Sequence, residues 1–249
     1  MKATEELMRC AMATDAFLYF LDARAPVTTF NQDFIPGDGK LIILLNKADL
    51  APYDAVALWQ KRFRDRFPVF SLSARDKSQC LDTMKKIRKI ITRRVLYLMV
   101  AGVPNVGKSL FIRNVTGKKI KVGSSPGVTT KVSWLPALDG VHFADTPGIL
   151  WPRIDGDDMF ARLCLIDAIG GRMIDSELAG RWLLRFLEKH AESFARRYGA
   201  AISSDPLVNI RNISDRMNIR KEESSRAWEV LIQDFRCGRL GKLVLDEIE

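Results

Sequence analysis

Histidine is almost missing from this chain, with two in 249 residues. His142 and His190 stand far apart and read as ordinary core or surface imidazoles. The four cysteines, Cys10, Cys80, Cys164 and Cys237, are scattered, and no two form a CxxC pair. That spacing argues against a zinc site or a disulfide framework and fits a reducing compartment. Long apolar runs are lacking too. Leu41–Leu45 and Leu96–Ala101 fall far short of the ~18–20 residues that cross a bilayer. Residues 1–10 lack the basic start and apolar core of a secretory signal. Repeats and low-complexity tracts are absent. The expectation is a soluble, cytoplasmic monomer without a membrane span.

Acidic residues are in deficit, and the deficit is local. The net charge is +9. Residues 166–249 carry 14 basic and 14 acidic groups, so the whole excess lies in residues 1–165. Lys85-Lys86-Ile87-Arg88-Lys89 and Arg93-Arg94 form the densest run. It reads either as a solvated helix face or as a surface for a phosphate-rich polymer.

What is present is a chain with 47% apolar and 28% charged residues, long enough for one α/β domain and a smaller second one. Residues 3–14 read as a helix. Ala16–Leu21 reads as a strand ending at Asp22-Ala23-Arg24. Leu41–Leu45 is a continuous apolar run, as in a strand buried on both faces of a parallel sheet. Tyr53–Phe67 reads as a helix stopped by Pro68, Val69–Leu72 as a strand and Cys80–Thr92 as a helix. Val95–Ala101 is a further strand, followed by a helix from Lys108 to about Val115. Val132–Leu135 and Val141–Ala144 flank the turn signal Asp139-Gly140, which predicts a hairpin. This alternation argues an open, mostly parallel sheet with helices on both faces. Beyond about residue 155 only helical patterns remain. These are Met159–Ile169, Leu178–His190 (Leu178, Trp182, Phe186 and Leu187 on one side) and the stripe Trp228, Leu231, Ile232, Phe235. The expected division is 1–172 for the α/β domain and 173–249 for a small all-α domain.

Five motifs carry the chemistry. Gly102-Val103-Pro104-Asn105-Val106-Gly107-Lys108-Ser109 follows a strand and opens a helix, the setting a phosphate loop requires. Backbone N–H groups from Pro104–Leu110 (Asn105, Val106, Gly107, Lys108, Ser109 and Leu110) would surround phosphate oxygens, aided by the helix N-terminus. Lys108 would reach the β- and γ-phosphates, and Ser109 would ligate Mg²⁺. Asp145-Thr146-Pro147-Gly148 ends a strand. Asp145 would hold Mg²⁺ through water, and the Gly148 N–H would touch the γ-phosphate. Asn46-Lys47-Ala48-Asp49 would read guanine: Asp49 accepts from N1–H and the exocyclic amine, a donor pair adenine lacks. Asn46 would brace neighbouring loops, and Lys47 would pack over the base. Ser73-Ala74 fits a second base loop. In Pro126-Gly127-Val128-Thr129-Thr130, Thr129 would cap Mg²⁺ and sense the γ-phosphate, with Thr130 as the alternative. The guanine reader precedes the phosphate loop, the reverse of an ordinary GTPase. The order is cyclically consistent, as if the circle had been cut elsewhere.

With these residues, and with Asp22–Pro26, Asp145–Pro152 and the tail Asp234–Gly241, nearly the whole chain resembles the circularly permuted GTPases of the YlqF/RbgA type. Those proteins take part in large ribosomal subunit assembly. The resemblance implies a permuted Ras-like P-loop domain followed by a helical domain similar to RNA-binding antiterminator modules. It implies GTP hydrolysis stimulated by the large subunit, with rRNA and ribosomal proteins as partners. It also implies K⁺ dependence, with Asn105 helping to hold the ion. Ile149 stands where many GTPases carry a water-positioning Gln, and the family too has a hydrophobic residue there. The family's catalytic His lies in an N-terminal segment that would end about where Met1 stands, and neither His142 nor His190 matches it. Lys108, Thr129 and Gly148 are left as the catalytic candidates. Unassisted turnover is expected on the order of 10⁻⁴–10⁻³ s⁻¹. Two rivals remain open: an RNA-binding scaffold whose nucleotide is structural, and an ATPase, which depends on Asp49.

Overall fold

Alternate residues of each central strand face opposite ways, and in this protein both sides are apolar. β1 (Ala16–Asp22) and β2 (Leu41–Asn46) are buried along their entire length. Phe17, Tyr19 and Leu21 enter one hydrophobic cluster, while Ala16, Leu18 and Phe20 enter another. Only a sheet covered on both faces accommodates such strands. The computed structural model describes residues 13–31, 41–117, 134–137, 140–145, 154–169, 175–220, 223 and 225–247. The helix expected at 3–14 lies almost wholly outside them.

β3 (Val69–Ser71), β4 (Leu96–Ala101), β5 (Trp134–Pro136) and β6 (Val141–Asp145) complete a six-stranded sheet in the order β3-β2-β1-β4-β6-β5. All pairings are parallel except β5 with β6, the hairpin expected around Gly140. Gly140 has φ +73°, the left-handed region such a turn needs.

α1 (Tyr53–Arg64) covers one face, with Val56 and Trp59 buried against Tyr19 and Ile43. It stops three residues before the expected end at Phe67. Pro68 disfavours helical geometry in the residue before it, and the N–H groups of Arg66 and Phe67 turn back to the Phe63 carbonyl. α2 (Lys77–Ile90) covers the other face with Cys80, Met84 and Ile87. It starts earlier than expected because the Asp76 carboxylate accepts from the N–H groups of Ser78 and Gln79, an N-cap. α3 (Lys108–Thr116) lies beside α2 on that face.

Among the described residues no strand follows β6, as expected. α4 (Gly156–Leu165), α5 (Ser176–Glu188), α6 (Ala191–Tyr198), α7 (Pro206–Met217) and α8 (Ser225–Arg236) share one core, continuous with that beneath α2 and α3. α6 and α7 were not anticipated. α6 is eight residues long and buries only Phe194 and Tyr198, too few for a visible period. α7 did announce itself: Asp205 caps it and Pro206 opens it. In α5 the buried side is Ala179, Leu183, Leu184 and Leu187, one position round from the expected stripe. Trp182 and Phe186 flank it half-buried, their rings stacked 5.7 Å apart.

α5 and α8 meet at Gly180, where an added Cβ would sit 2.3 Å from the Trp228 ring. Gly180→Ala should therefore force the two helices apart and lower stability by about 1–3 kcal/mol. Urea unfolding of the two proteins measures this, and an unchanged midpoint would contradict the packing.

Candidate functional site

In a parallel sheet the loops leaving the strand C-termini gather along one edge, where ligands of open α/β folds bind. Register places the motifs there. Asp22 pairs with Asn46 across β1 and β2, and Val100 pairs with Asp145 across β4 and β6. The expected guanine and phosphate loops thus occupy neighbouring positions, although about 55 residues of chain separate them.

The phosphate loop joins β4 to α3 through backbone that most residues avoid. Gly102 has φ +132°, Asn105 +54° and Gly107 +107°. The glycines are required by space as well as angle. A Cβ on Gly102 would lie 2.4 Å from the Phe20 carbonyl oxygen, and one on Gly107 2.2 Å from the Asn46 Nδ2. The Lys108 ammonium is buried and donates to the carbonyls of Gly102 and Val103, both at 2.7 Å. Its charge therefore stands at the start of the loop. Ser109 follows in the first turn of α3. The oxygen donors Ser109 and Asp145 suit a hard cation such as Mg²⁺. Asp145 ends β6 directly beside the strand that launches the loop, so the two positions fit such a group.

Asn46 couples the two halves of the site. Its Nδ2 donates to the Val106 carbonyl at 2.6 Å, and its Oδ1 accepts from the Ala74 N–H at 2.7 Å. One buried amide thereby fixes the phosphate loop and the Ser73-Ala74 loop together. Asn114 of α3 adds a second tie, donating to the Ala74 carbonyl at 2.7 Å. Ser73 is buried, and its N–H donates to Gln79 Oε1 at 2.9 Å. Lys47 adopts φ +59°, unusual for a side chain with a Cβ. Asp49 is exposed on the short 3₁₀ turn Ala48–Leu50 that follows.

Beneath the guanine loop lies Asp22, 1% exposed. Burial alone would raise its pKa. The Arg24 and Lys47 cations and the hydrogen bonds from Arg24 outweigh that, and hold the carboxyl well below the usual carboxylate range. Arg24 grips both carboxylate oxygens, Nε to Oδ1 at 2.9 Å and Nη2 to Oδ2 at 2.8 Å. Lys47 Nζ stands 3.0 Å from Oδ2. The other side of the Arg24 guanidinium faces the end of α8. It lies over the Phe235 ring and donates to the carbonyls of Phe235 and Arg236 at 3.5 and 3.4 Å. The phosphate loop has its own link to the same place. Asn105 Nδ2 donates to the Asp167 carbonyl at 3.0 Å and to its carboxylate at 3.2 Å, and Asp167 pairs with Arg236 at 3.0 Å.

Comparison with known proteins supplies the class. The family described as "50S ribosome-binding GTPase" matches residues 97–227, more than half of the chain. The chain belongs to the 50S ribosome-binding GTPase family. Within it the chain is of the YlqF/RbgA type. It is 27% identical to ribosome biogenesis GTPase A of Bacillus cereus, over all of this chain and 91% of that protein. The Thermotoga maritima protein of the same name is 30% identical, over 80% of this chain and 72% of its own length. The fold agrees with solved YlqF structures. A GDP-bound one gives a TM-score of 0.74 at 23% identity, covering 98% of each chain. A GNP-bound one from T. maritima gives 0.72 at 24% identity, covering 99% of this chain and 98% of that one. The fold is thus the permuted P-loop GTPase domain with a helical C-terminal part that the motif order implied.

Of the residues expected in the GTPase site, Asn46, Lys47, Asp49, Ser73, Ala74 and Pro104–Leu110 stand together along one sheet edge. Asp145 joins them by its backbone position. Thr129, Thr130 and Gly148 lie outside the described residues. His142 stacks on Tyr97 at the β4–β6 pair, and His190 lies against Phe186. Cys80 and Cys164 are buried and Cys237 is exposed, all free thiols. The roles of Asp22, Arg24, Asp167 and Arg236 were not foreseen. The Asp-Ala-Arg end of β1 was the available signal, since a charged pair closing a fully apolar strand needs a partner.

Removing Arg24 leaves the Asp22 charge buried without its principal partner. Arg24→Ala should cost about 3–5 kcal/mol of stability in chemical denaturation. Asp22 also confers acid sensitivity. Its native pKa lies below the unfolded value near 3.9, so its contribution is complete above that pH and is lost as pH falls below about 4. Thermal midpoints measured from pH 6 to 3 should fall less steeply in Asp22→Asn than in the parent protein.

Proposed function

We propose that this GTPase is a GTP-gated factor in assembly of the large ribosomal subunit, binding rRNA in the pre-ribosomal particle while GTP is bound and leaving on hydrolysis. The observation that carries the reading is the Asn46 bridge. It ties the loop that follows β2 to the phosphate loop and to the Ser73-Ala74 loop, which supports one nucleotide lying across all three. The family match and the ribosome biogenesis names of the relatives support a ribosomal partner.

In this reading Asp49 accepts from the guanine edge while Lys47 lies along the base, its ammonium kept on Asp22. Ser73 and Ala74 present backbone to the guanine carbonyl. Backbone from Pro104 to Leu110 surrounds the phosphates, Lys108 meets the β- and γ-oxygens, and Gly148 and Thr129 sense the γ-phosphate. Ser109, Asp145 and Thr129 would hold Mg²⁺, which when bound neutralises charge developing on the phosphate oxygens. Asn105 would hold K⁺ through Oδ1, since its Nδ2 is given to Asp167. The nucleotide domain is 1–172 and the helical domain 173–249, with α4 ahead of that boundary and packed on α5 and α8. The protein acts as a cytoplasmic monomer.

A nucleotide shifts a binding equilibrium only through contacts that differ between states, and here the γ-phosphate supplies them. Large subunits from assembly-arrested cells should therefore retain the protein at least tenfold more tightly with a non-hydrolysable GTP analogue than with GDP. Equal retention would refute the switch. Single-turnover hydrolysis should rise on adding those subunits, and on replacing Na⁺ by K⁺. Asp49→Asn should lose most of the preference for GTP over ATP, up to the ~10⁴-fold that a buried polar match can provide. A competition assay with both nucleotides measures it.

A further inference from the structure

The far ends of α1 and α2 diverge beside β3, the edge strand of the sheet, and leave a groove of about 780 Å³. It lies away from the nucleotide loops, since Asp49 precedes α1 and Ser73-Ala74 precedes α2, while the groove is lined by their C-terminal halves. Arg64, Arg66 and Lys86 border it, against one carboxylate, Asp65. All four are exposed. Phe67 and the half-exposed Ile90 provide apolar wall, and the Arg66 guanidinium lies over the Phe67 ring at 5.2 Å. Lys61, Arg62, Lys85 and Lys89 are exposed on the same two helices.

Surface cations of this protein are paired in some places and not in others, and Lys85 beside the groove pairs with Asp82. In the C-terminal helices, Arg181, Lys189 and Arg226 pair with Glu177, Glu247 and Glu223. Among the described residues Arg64, Arg66 and Lys86 have no ion pair. Like charges held together without counter-charges repel one another, and a polyanion relieves that repulsion while releasing its own counterions. An arginine plane on an aromatic ring beside apolar wall also suits an unstacked base.

We infer that this groove is an RNA-binding surface, taking the sugar-phosphate backbone along Arg64, Arg66 and Lys86, with a base against Arg66 and Phe67. The inference deepens the proposed function and rests on its RNA partner. An acidic ribosomal protein would meet the same charges but has no use for the stacked plane.

The test is fluorescence anisotropy with a fluorescein-labelled 20-nucleotide RNA hairpin and the full chain, titrated across KCl concentrations. The variant Arg64→Gln/Arg66→Gln/Lys86→Gln should bind at least tenfold more weakly. Its slope of log affinity against log salt should be shallower by about 2–3, for three lost phosphate contacts. Its GDP affinity and thermal midpoint should match the parent, which excludes a folding defect. Arg181→Gln/Lys189→Gln/Arg226→Gln, which removes paired cations, should change little. Equal affinity and slope in the groove variant would overturn the inference while leaving RNA binding in place. A parent protein that sediments with large subunits but does not bind the hairpin would overturn both. A groove variant that keeps its RNA affinity but no longer sediments with large subunits would assign the groove to a protein and overturn the RNA assignment.

Discussion

A carboxylate without access to water sets the terms for the rest of this molecule. Asp22 ends the central strand β1, and once buried it is tolerable only with cations on both sides. Arg24 and Lys47 meet that demand, and each is placed by doing so. Lys47 is drawn down at the base of the guanine loop, where its backbone takes a left-handed turn. Arg24 is turned outward to the end of α8, whose last carbonyls lack intrahelical partners and carry the negative end of the helix dipole. One charge thereby fixes both the loop that follows β2 and the end of α8. The contact from Asn105 through Asp167 to Arg236 reaches the same helix end from the phosphate side. Base loop and phosphate loop therefore share a single mechanical footing, although they belong to distant stretches of sequence.

Several cations after residue 175 are held in ion pairs, some deeply. Buried Asp234, for example, accepts from Arg197, Tyr198 and Arg239. Among the described residues Arg64, Arg66 and Lys86 have no ion pair beside the edge strand β3, whereas Lys85 and Arg93 of the same half pair with Asp82 and Asp15.

Much of this was legible beforehand because the information was local. Strands buried on both faces read as unbroken apolar runs, and glycines in a phosphate loop are forced by backbone angle. Errors arose where the deciding contact lay just outside the pattern. Asp76 starts α2 early through its side chain, and Pro68 ends α1 early through sterics acting on its neighbour. The stripe of α5 was displaced because aromatic size suggested a core role for Trp182 and Phe186, whereas Gly180 and Ala179 let α8 approach. The charged end of β1 was visible, but the link from Arg24 to α8 was not. Its partners are over two hundred residues apart, and backbone carbonyls leave no mark in a sequence.

That separation has a consequence for the order in which the protein comes into being. Chains emerge from the ribosome N-terminus first. The guanine loop is released early, yet its brace on Val106 must wait for the phosphate loop, and Arg24 must wait for residues 235 and 236. Later still come the contacts of residues 245 and 246, where the Leu245 N–H donates to the Arg24 carbonyl and Asp246 accepts from Thr28. Residues 24–28 thus wait through more than two hundred further residues of synthesis for these partners. The end of β1 therefore gains its support only after residues 235–246 have been made.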